Sequence, residues 1–346
     1  MGNLSYQQDG LILKRGGAAI KQQIQDLQAD LRSLGYLRNG IDGLFGPGTE
    51  KTVMGLQYDL LNNDGRGQDR SSHLKVKDYN KGRVIQVNGI VDQTLVGCIS
   101  DMLHDNNYPR LPFAADPVAE NNKIIKQIEA FSSQDVPIPF LLGILKQETG
   151  IKHYFEPGTG DKDNFIVVGL DTNNSKLPYA ITSRGYGVGQ YTLFHHPARP
   201  EEVHEFMLDA TQNLQKAIVE LRGKYNNFVN GPMDHAADRA SEIGNGPLRI
   251  CKYKASDARY MKDCKKCLLA AGLQDIKQGV TTFYPGCKDT FQPTQYYSNG
   301  SYHGVPIRKN IGCDWIYAVR RYNGSGINSF HYQVKIMFHM LALEGI

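Results

Sequence analysis

The chain has 346 residues, of which 40% are apolar and 21% charged, and a formal net charge of +4. That length holds two domains with cores of their own, and so even a charge balance, without a run of basic residues, excludes a nucleic-acid-binding stripe. No apolar run approaches the ~20 residues of a membrane span, and Met1 to Gly10 lack the charged start and apolar centre of a secretory signal peptide.

Residues 1–15 read as a lead-in. From Ala18, the residues Ile20, Ile24, Leu27, Leu31 and Leu34 recur at three- and four-residue spacing, which predicts a helix ending at Gly35-Tyr36. A stretch dense in turn formers follows, from Asn39 to Thr49. Thr49 is the expected cap of a second helix carrying Val53, Leu56, Leu60 and Leu61. The polar, glycine-bearing segment from Asn62 to Gly82 reads as an inserted loop. Val87-Asn88-Gly89-Ile90-Val91 then leads into a third helix, Asp92 to Leu103, with Leu95, Val96, Ile99 and Leu103 inward.

Three pieces carry a first resemblance. They are Leu27-Gln28 through Leu34-Gly35-Tyr36, the run Asp42-Gly43-Leu44-Phe45-Gly46-Pro47-Gly48-Thr49, and Val53 with Leu56-Gln57. Together with the Val87–Val91 turn they resemble a three-helix peptidoglycan-binding domain, here spanning 16–106. The resemblance implies that Asp42, Gly43, Phe45, Gly46 and Thr49 serve wall binding. The segment between Leu61 and Gln86 departs from the family pattern.

Three prolines between Tyr108 and Pro117 mark 107–117 as a semi-stiff linker, and a second domain is expected over 118–346. A helix is expected from Asn121 to Phe131, with Ile124, Ile125 and Ile128 on one side. Pro137 and Pro139 then open a helix, where a missing N–H costs little. Phe140 to Leu145 are apolar almost all round, so this helix should be buried, and Gly150 stops it. Glu148 falls in its last turn. Burial and the partial negative charge of a helix C-terminus both disfavour an ionised carboxylate, which suits a general acid.

From Ile151 to Thr182 the chain is irregular, with one short strand expected at Phe165-Ile166-Val167-Val168 and four acids, Glu156, Asp161, Asp163 and Asp171. Gly187-Val188-Gly189-Gln190 would let backbone approach a ligand closely. Residues 201–229 form a long amphipathic helix. The adjacent His195 and His196 cannot share a helix face, so no metal pair is expected. Residues 231–312 read as an insertion rich in glycine, tyrosine and cysteine, and Tyr296, Tyr297 and Tyr302 are candidates for stacking on sugar rings. Cys251, Cys264, Cys267, Cys287 and Cys313 are disulfide candidates. A structural zinc site at the first four, or free thiols, are the alternatives. A helix resumes from Cys313 to Tyr322 with Ile316 and Val319 inward, and Ser329 caps a last one.

The order of three motifs carries a second resemblance: helix-Glu148-Thr149-Gly150, then Gly187-Val188-Gly189-Gln190, then a helix ending in Tyr322-Asn323-Gly324-Ser325. This resembles the lysozyme-like superfamily, nearest to soluble lytic transglycosylases and goose-type lysozymes. Thr149 stands where most members have Ser, and Thr192 where goose-type enzymes carry a carboxylate. The implied fold is mostly α: the three-helix binding domain plus an α+β catalytic domain with a small β-lobe. The implied activity is cleavage of the β-1,4 bond after N-acetylmuramic acid. Glu148 would be the acid, Thr192 and Asp161 would hold the attacking water, and Gly189, Gln190, Tyr191, Tyr322 and Asn323 would bind the sugar. A lytic transglycosylase, in which the sugar's own 6-hydroxyl attacks, is the alternative, and a non-catalytic wall-binding protein is the rival of another class. The reading needs no cofactor and no metal. It expects a monomer acting on peptidoglycan strands in the periplasm of a target cell and reaching it without a signal peptide, as an endolysin or as an effector with an immunity protein or a secretion apparatus for partners.

Overall fold

A computed structural model describes residues 4–67, 71–130, 136–172, 174–229 and 313–324, with Tyr332, Lys335, Ile336 and His339. Among these residues the protein is largely helical, with one three-stranded antiparallel sheet. The chain divides into two compact units. The first takes residues 1–127 and 152–214, and the second 128–151 and 215–346.

The first unit begins with three helices: α1 (Lys21–Ser33), α2 (Pro47–Asn62) and α3 (Gln93–His104). Their apolar stripes meet in one core, where Leu27, Leu31, Val53, Leu56, Leu95 and Ile99 are almost wholly buried. Ile20, expected inside, lies before α1 and is 66% exposed. The start of α2 also differs from expectation. Gly46 is its N-cap and Pro47 its first residue, because a proline there gives up an N–H that would have no helical partner anyway. Thr49 therefore sits inside the first turn. Asp92 caps α3, its carboxylate accepting from Leu95 N at 3.0 Å.

Two glutamines organise the turns before α2 and α3 in the same way. Gln28 Oε1 accepts from Gly43 N at 2.8 Å, while its Nε2 donates to Asp42 Oδ1, Leu44 O and Thr49 Oγ1. Gln57 Oε1 accepts from Asn88 N and Gly89 N, both at 2.9 Å, while its Nε2 donates to Asn88 Oδ1 and Ile90 O. In each turn the Asx residue is followed by a glycine with positive φ, 77° at Gly43 and 72° at Gly89. The inserted segment has structure of its own. It contains a 3-10 turn, Val76–Tyr79, with Val76 fully buried.

The remainder of the first unit is α4 (Pro117–Ala130) up to residue 127, the sheet, and the turns that follow it. In the sheet, β1 (Val168–Asp171) pairs with β2 (Ser183–Tyr186), which pairs with β3 (Tyr191–Leu193). The strand expected at 165–168 starts at Val168. Phe165 and Ile166 instead bridge to Phe113 and Tyr154. Ile166, Tyr186, Leu193, Phe206 and Met207 form the core beneath the sheet. The helix expected over 201–229 is broken into α6 (Pro200–Glu202), a wide turn Val203–Met207, α7 (Ala210–Lys224) and a second wide turn Tyr225–Val229.

Two buried ion pairs join the sheet region to the three helices. Arg32 binds Asp163 Oδ2 at 2.5 Å, with both side chains about 97% buried, and Arg184 reaches Asp59 at 3.3 Å. Asp59 also accepts from Tyr36 Oη at 2.8 Å. The segment expected as a linker is part of this packing: Leu111 N donates to Ser33 O, Ala114 N to Asn164 O, and Leu111 and Ala114 are buried. The compact units thus cut across a boundary drawn at 107–117.

The second unit contains α5 (Ile138–Thr149) and α8 (Cys313–Tyr322), which packs on α5 and on the Tyr225–Val229 turn. As expected, Phe140, Leu141, Ile144 and Leu145 are buried. Gly150 ends α5 in the left-handed conformation at φ 69°, and Ile151 N donates to Leu145 O. Val319 is buried in α8, while the side chain of Ile316 and that of Cys313 lie outside the described residues, as do Ser329, the insertion 231–312, its tyrosines and its four cysteines.

Candidate functional site

In the second unit, Glu148 is the last residue but one of α5, in its final turn, and is half-buried. Tyr332 Oη donates to Glu148 Oε1 at 2.5 Å. Burial, and then the nearby Glu148 charge, push the Tyr332 and Tyr322 phenols well above their ordinary value. Both therefore stay protonated at neutral pH, and Tyr332 remains a donor. The structure thus brings Tyr322, expected from its motif, close to Glu148 electrostatically and adds Tyr332, which no local pattern singled out. Asn323 is exposed just beyond α8. Gln147 Oε1, beside Glu148, accepts from His339 Nε2 at 3.1 Å.

In the first unit, the Gly187–Gln190 turn joins β2 to β3. Gly187 has φ 68°, and a side-chain carbon there would come within 2.6 Å of both Asn213 Nδ2 and His153 Cε1. Glycine is required at that position twice over, by conformation and by space. The turn is held from beneath by two buried side chains. Asn213 Oδ1 accepts from Gly189 N at 2.8 Å, and its Nδ2 donates to Tyr186 O and Phe206 O. His153 Nε2 donates to Met207 O at 2.8 Å, which leaves Nδ1 to accept from Val188 N at 3.3 Å. Burial lowers the His153 ring to about 4, so it stays neutral. Sequence reasoning missed both residues.

Gln190 itself has φ 49°, a left-handed conformation that side-chain-bearing residues seldom adopt. Its side chain folds back, Nε2 donating to Gly187 O at 3.0 Å, and lies over Gly185 of β2. Tyr191 packs edge-on against Phe206, and Thr192 is exposed with Oγ1 donating to Gln190 O at 3.0 Å. Backbone and polar side chains of this turn thus make one pre-shaped surface, with Gly189 buried at its base.

The acids of the preceding segment have partners inside the first unit. Asp161 Oδ1 accepts from Ile41 N at 3.0 Å and Asp163 N at 2.9 Å. Asp163 pairs with Arg32, and Glu156 with Lys152 and Asn121. Asp161 is thereby the cap of a tight turn seated on the loop before α2. His195 pairs with Glu202 at 2.9 Å and His196 Nε2 meets Tyr108 Oη at 3.1 Å, so the two rings turn to different partners. Among the described residues no group of three or more His, Cys, Asp or Glu side chains could hold a metal ion. Cys98 is a buried thiol.

The expected wall-binding residues are clustered, and several face inward. Asp42, Gly43 and Thr49 all bond to Gln28, and Thr49 is fully buried. Gly46 caps α2, and Phe45 packs against the helical core.

Residues 21–66 match the family model of a peptidoglycan-binding domain. The match runs from the first residue of α1 through the Gln28-centred turn to just past α2. No curated protein and no solved structure matches the chain. The N-terminal part is therefore similar to peptidoglycan-binding domains, which supports association with the cell wall. No helix among the described residues is long and apolar enough to cross a membrane.

Proposed function

We propose that this protein binds peptidoglycan through its N-terminal helices and cleaves the glycan strand as a muramidase, at the β-1,4 bond after N-acetylmuramic acid, with Glu148 as the general acid. The observation that carries the reading is a half-buried glutamate at the glycine-capped end of a buried helix, held by a protonated tyrosine at 2.5 Å. A carboxyl group so placed has a fixed orientation, which proton delivery to a glycosidic oxygen needs. Tyr332 is a positioning residue in this scheme. Binding and cutting joined on one chain suit a bacteriolytic enzyme.

A specific observation favours a second reading. Asp161, Asp163 and Glu156 already serve backbone donors or cations of their own unit. With these acids engaged, attack by the sugar's own 6-hydroxyl, as in a lytic transglycosylase, needs no further carboxylate. The common core of both readings is tested by Glu148→Gln, which keeps shape but cannot donate the proton. Wall lysis followed by turbidity should fall at least tenfold with unchanged wall binding. Retention of activity above that level would remove Glu148 from the mechanism.

A further inference from the structure

We propose that the groove between the inserted segment and the C-terminal half of α3 binds the stem peptide of peptidoglycan, a short peptide carrying free carboxylates together with an amine. The proposal rests on the wall-binding reading of the N-terminal domain and assigns its ligand to a place that the family pattern does not contain. The groove has a volume of about 460 Å³, within the range of ligand clefts and enough for a few residues of extended chain.

Both walls are built structures. The insert is anchored by buried Val76 and Val84, by Lys77 N donating to Asn63 O, and by Asn80, whose side chain closes on Val84 N and Val84 O. From this wall come Lys75, Asp78, Tyr79 and Lys81, and from α3 and its end come Asp101, His104 and Asp105. Tyr79 is fixed twice, by its hydroxyl donating to Asp105 at 2.7 Å and by edge-on contact with Tyr108. Asp101 is held by two cations, Lys81 at 2.9 Å and Arg83 at 2.5 Å. His104 Nδ1 donates to Ser100 O at 2.7 Å, leaving Nε2 as the ring's other polar atom.

The charges point to the ligand. Lysines and aspartates alternate around the groove, so it is neither a basic trough for a polyanion nor an acidic one for a polycation. Lys75, the N-cap of the 3-10 turn, and Asp78 within it are exposed, lie three residues apart, and have no ion-pair partner among the described residues. A lysine beside an aspartate, both unspent, complements a ligand that offers a carboxylate and an ammonium a few bonds apart. The stem peptide has that character at its γ-linked D-glutamate and the dibasic residue next to it. Tyr79 supplies an apolar wall for the peptide's methyl groups.

The test uses the full chain and the synthetic tetrapeptide L-Ala-γ-D-Glu-meso-diaminopimelate-D-Ala, which has no glycosidic bond and so is silent to any cleavage. Binding is read by NMR titration, and wall association by co-sedimentation with purified walls and with glycan strands stripped of peptide. The charge swap Lys75→Glu/Asp78→Lys keeps net charge and removes no side-chain hydrogen bond or ion pair among the described residues. It should weaken tetrapeptide binding at least tenfold with an unchanged melting temperature, and the stripped strands should bind at least tenfold more weakly than whole walls. Peptide affinity within twofold of wild type after the swap, equal binding of stripped strands, or binding of an anionic wall polymer in place of the peptide would each overturn the proposal. Failure to sediment with whole walls would instead overturn the wall-binding reading beneath it. Sedimentation without peptide binding would reject the groove alone.

Discussion

At His153 one ring does three jobs. Its Nε2 donates to Met207 O, its Nδ1 accepts from Val188 N, and its Cε1 fills the space that a side chain at Gly187 would need. Burial lowers its pKa from 6.5 to about 4, so the unfolded chain takes up the proton first as pH falls. The stabilisation from the neutral ring is complete above pH 6.5 and is lost progressively towards pH 4. A shift of that size corresponds to about 3 kcal/mol over the window. Chemical denaturation between pH 7 and pH 4 should show this loss in the wild type, and His153→Gln should flatten that part of the curve. An unchanged slope in the variant would contradict the buried neutral ring. Glu148 was legible as a residue because its signals are local: prolines before the helix, a glycine after it, apolar residues between. His153 and Asn213 were not, because they come from segments on either side of the turn they support, and their polar atoms meet it only in the folded chain. Tyr332 escaped for the same reason, lying 184 positions from the carboxylate it holds.

Among the elements, the Gln28-centred and Gln57-centred turns show why the glycine-rich runs are specific. Each glutamine satisfies the buried backbone N–H of the turn's glycine and braces an Asx side chain that also accepts from the backbone two residues on. Gln28→Leu leaves Gly43 N without its acceptor and removes the bonds that Gln28 gives Asp42, Leu44 and Thr49. An unsatisfied buried group costs about 1–3 kcal/mol, so the variant should lose on the order of 2–4 kcal/mol in denaturant unfolding. A loss below about 0.5 kcal/mol would show that the turn does not depend on Gln28. The helices themselves were legible from their apolar spacing, with ends off by a few residues. The start of α2 was misplaced because Thr49 looked like a cap, whereas the Gly46-Pro47 pair starts the helix and Thr49 serves Gln28 from within. The strand at 165–168 was misread because its apolar run is shared: Val167 N pairs with His153 O and Ile166 N with Pro112 O, so only Val168 enters the sheet.

At the level of the whole molecule, the N-terminal helices and the sheet region belong to one compact unit. Nothing in the spacing of Arg32 and Asp163, or of Asp59 and Arg184, announces that they meet, since single charges carry no periodic signal. A buried pair adds little net stability but fixes geometry. Phe165 and Ile181 of the sheet region also pack against the helical core. A chain begun at residue 111 loses Arg32, Asp59 and Tyr36 and opens that apolar face. Hydrogen exchange at amides of Val168–Leu193 should then be at least a hundredfold faster than in the full chain. Unchanged protection would show that the sheet region stands alone and that the N-terminal domain is only a tether.

Whether Glu148 drives cleavage of the wall glycan is read by mass spectrometry of purified walls digested by the wild type and by Glu148→Gln. The wild type should yield muropeptides newly ended at N-acetylmuramic acid, with free reducing ends, and the variant at least tenfold fewer. Ends in the 1,6-anhydro form would assign the transglycosylase chemistry and keep Glu148 as the acid. Wild-type digests without new glycan ends, or equal yields from Glu148→Gln, would rule out Glu148 as the acid of a glycan-cleaving enzyme.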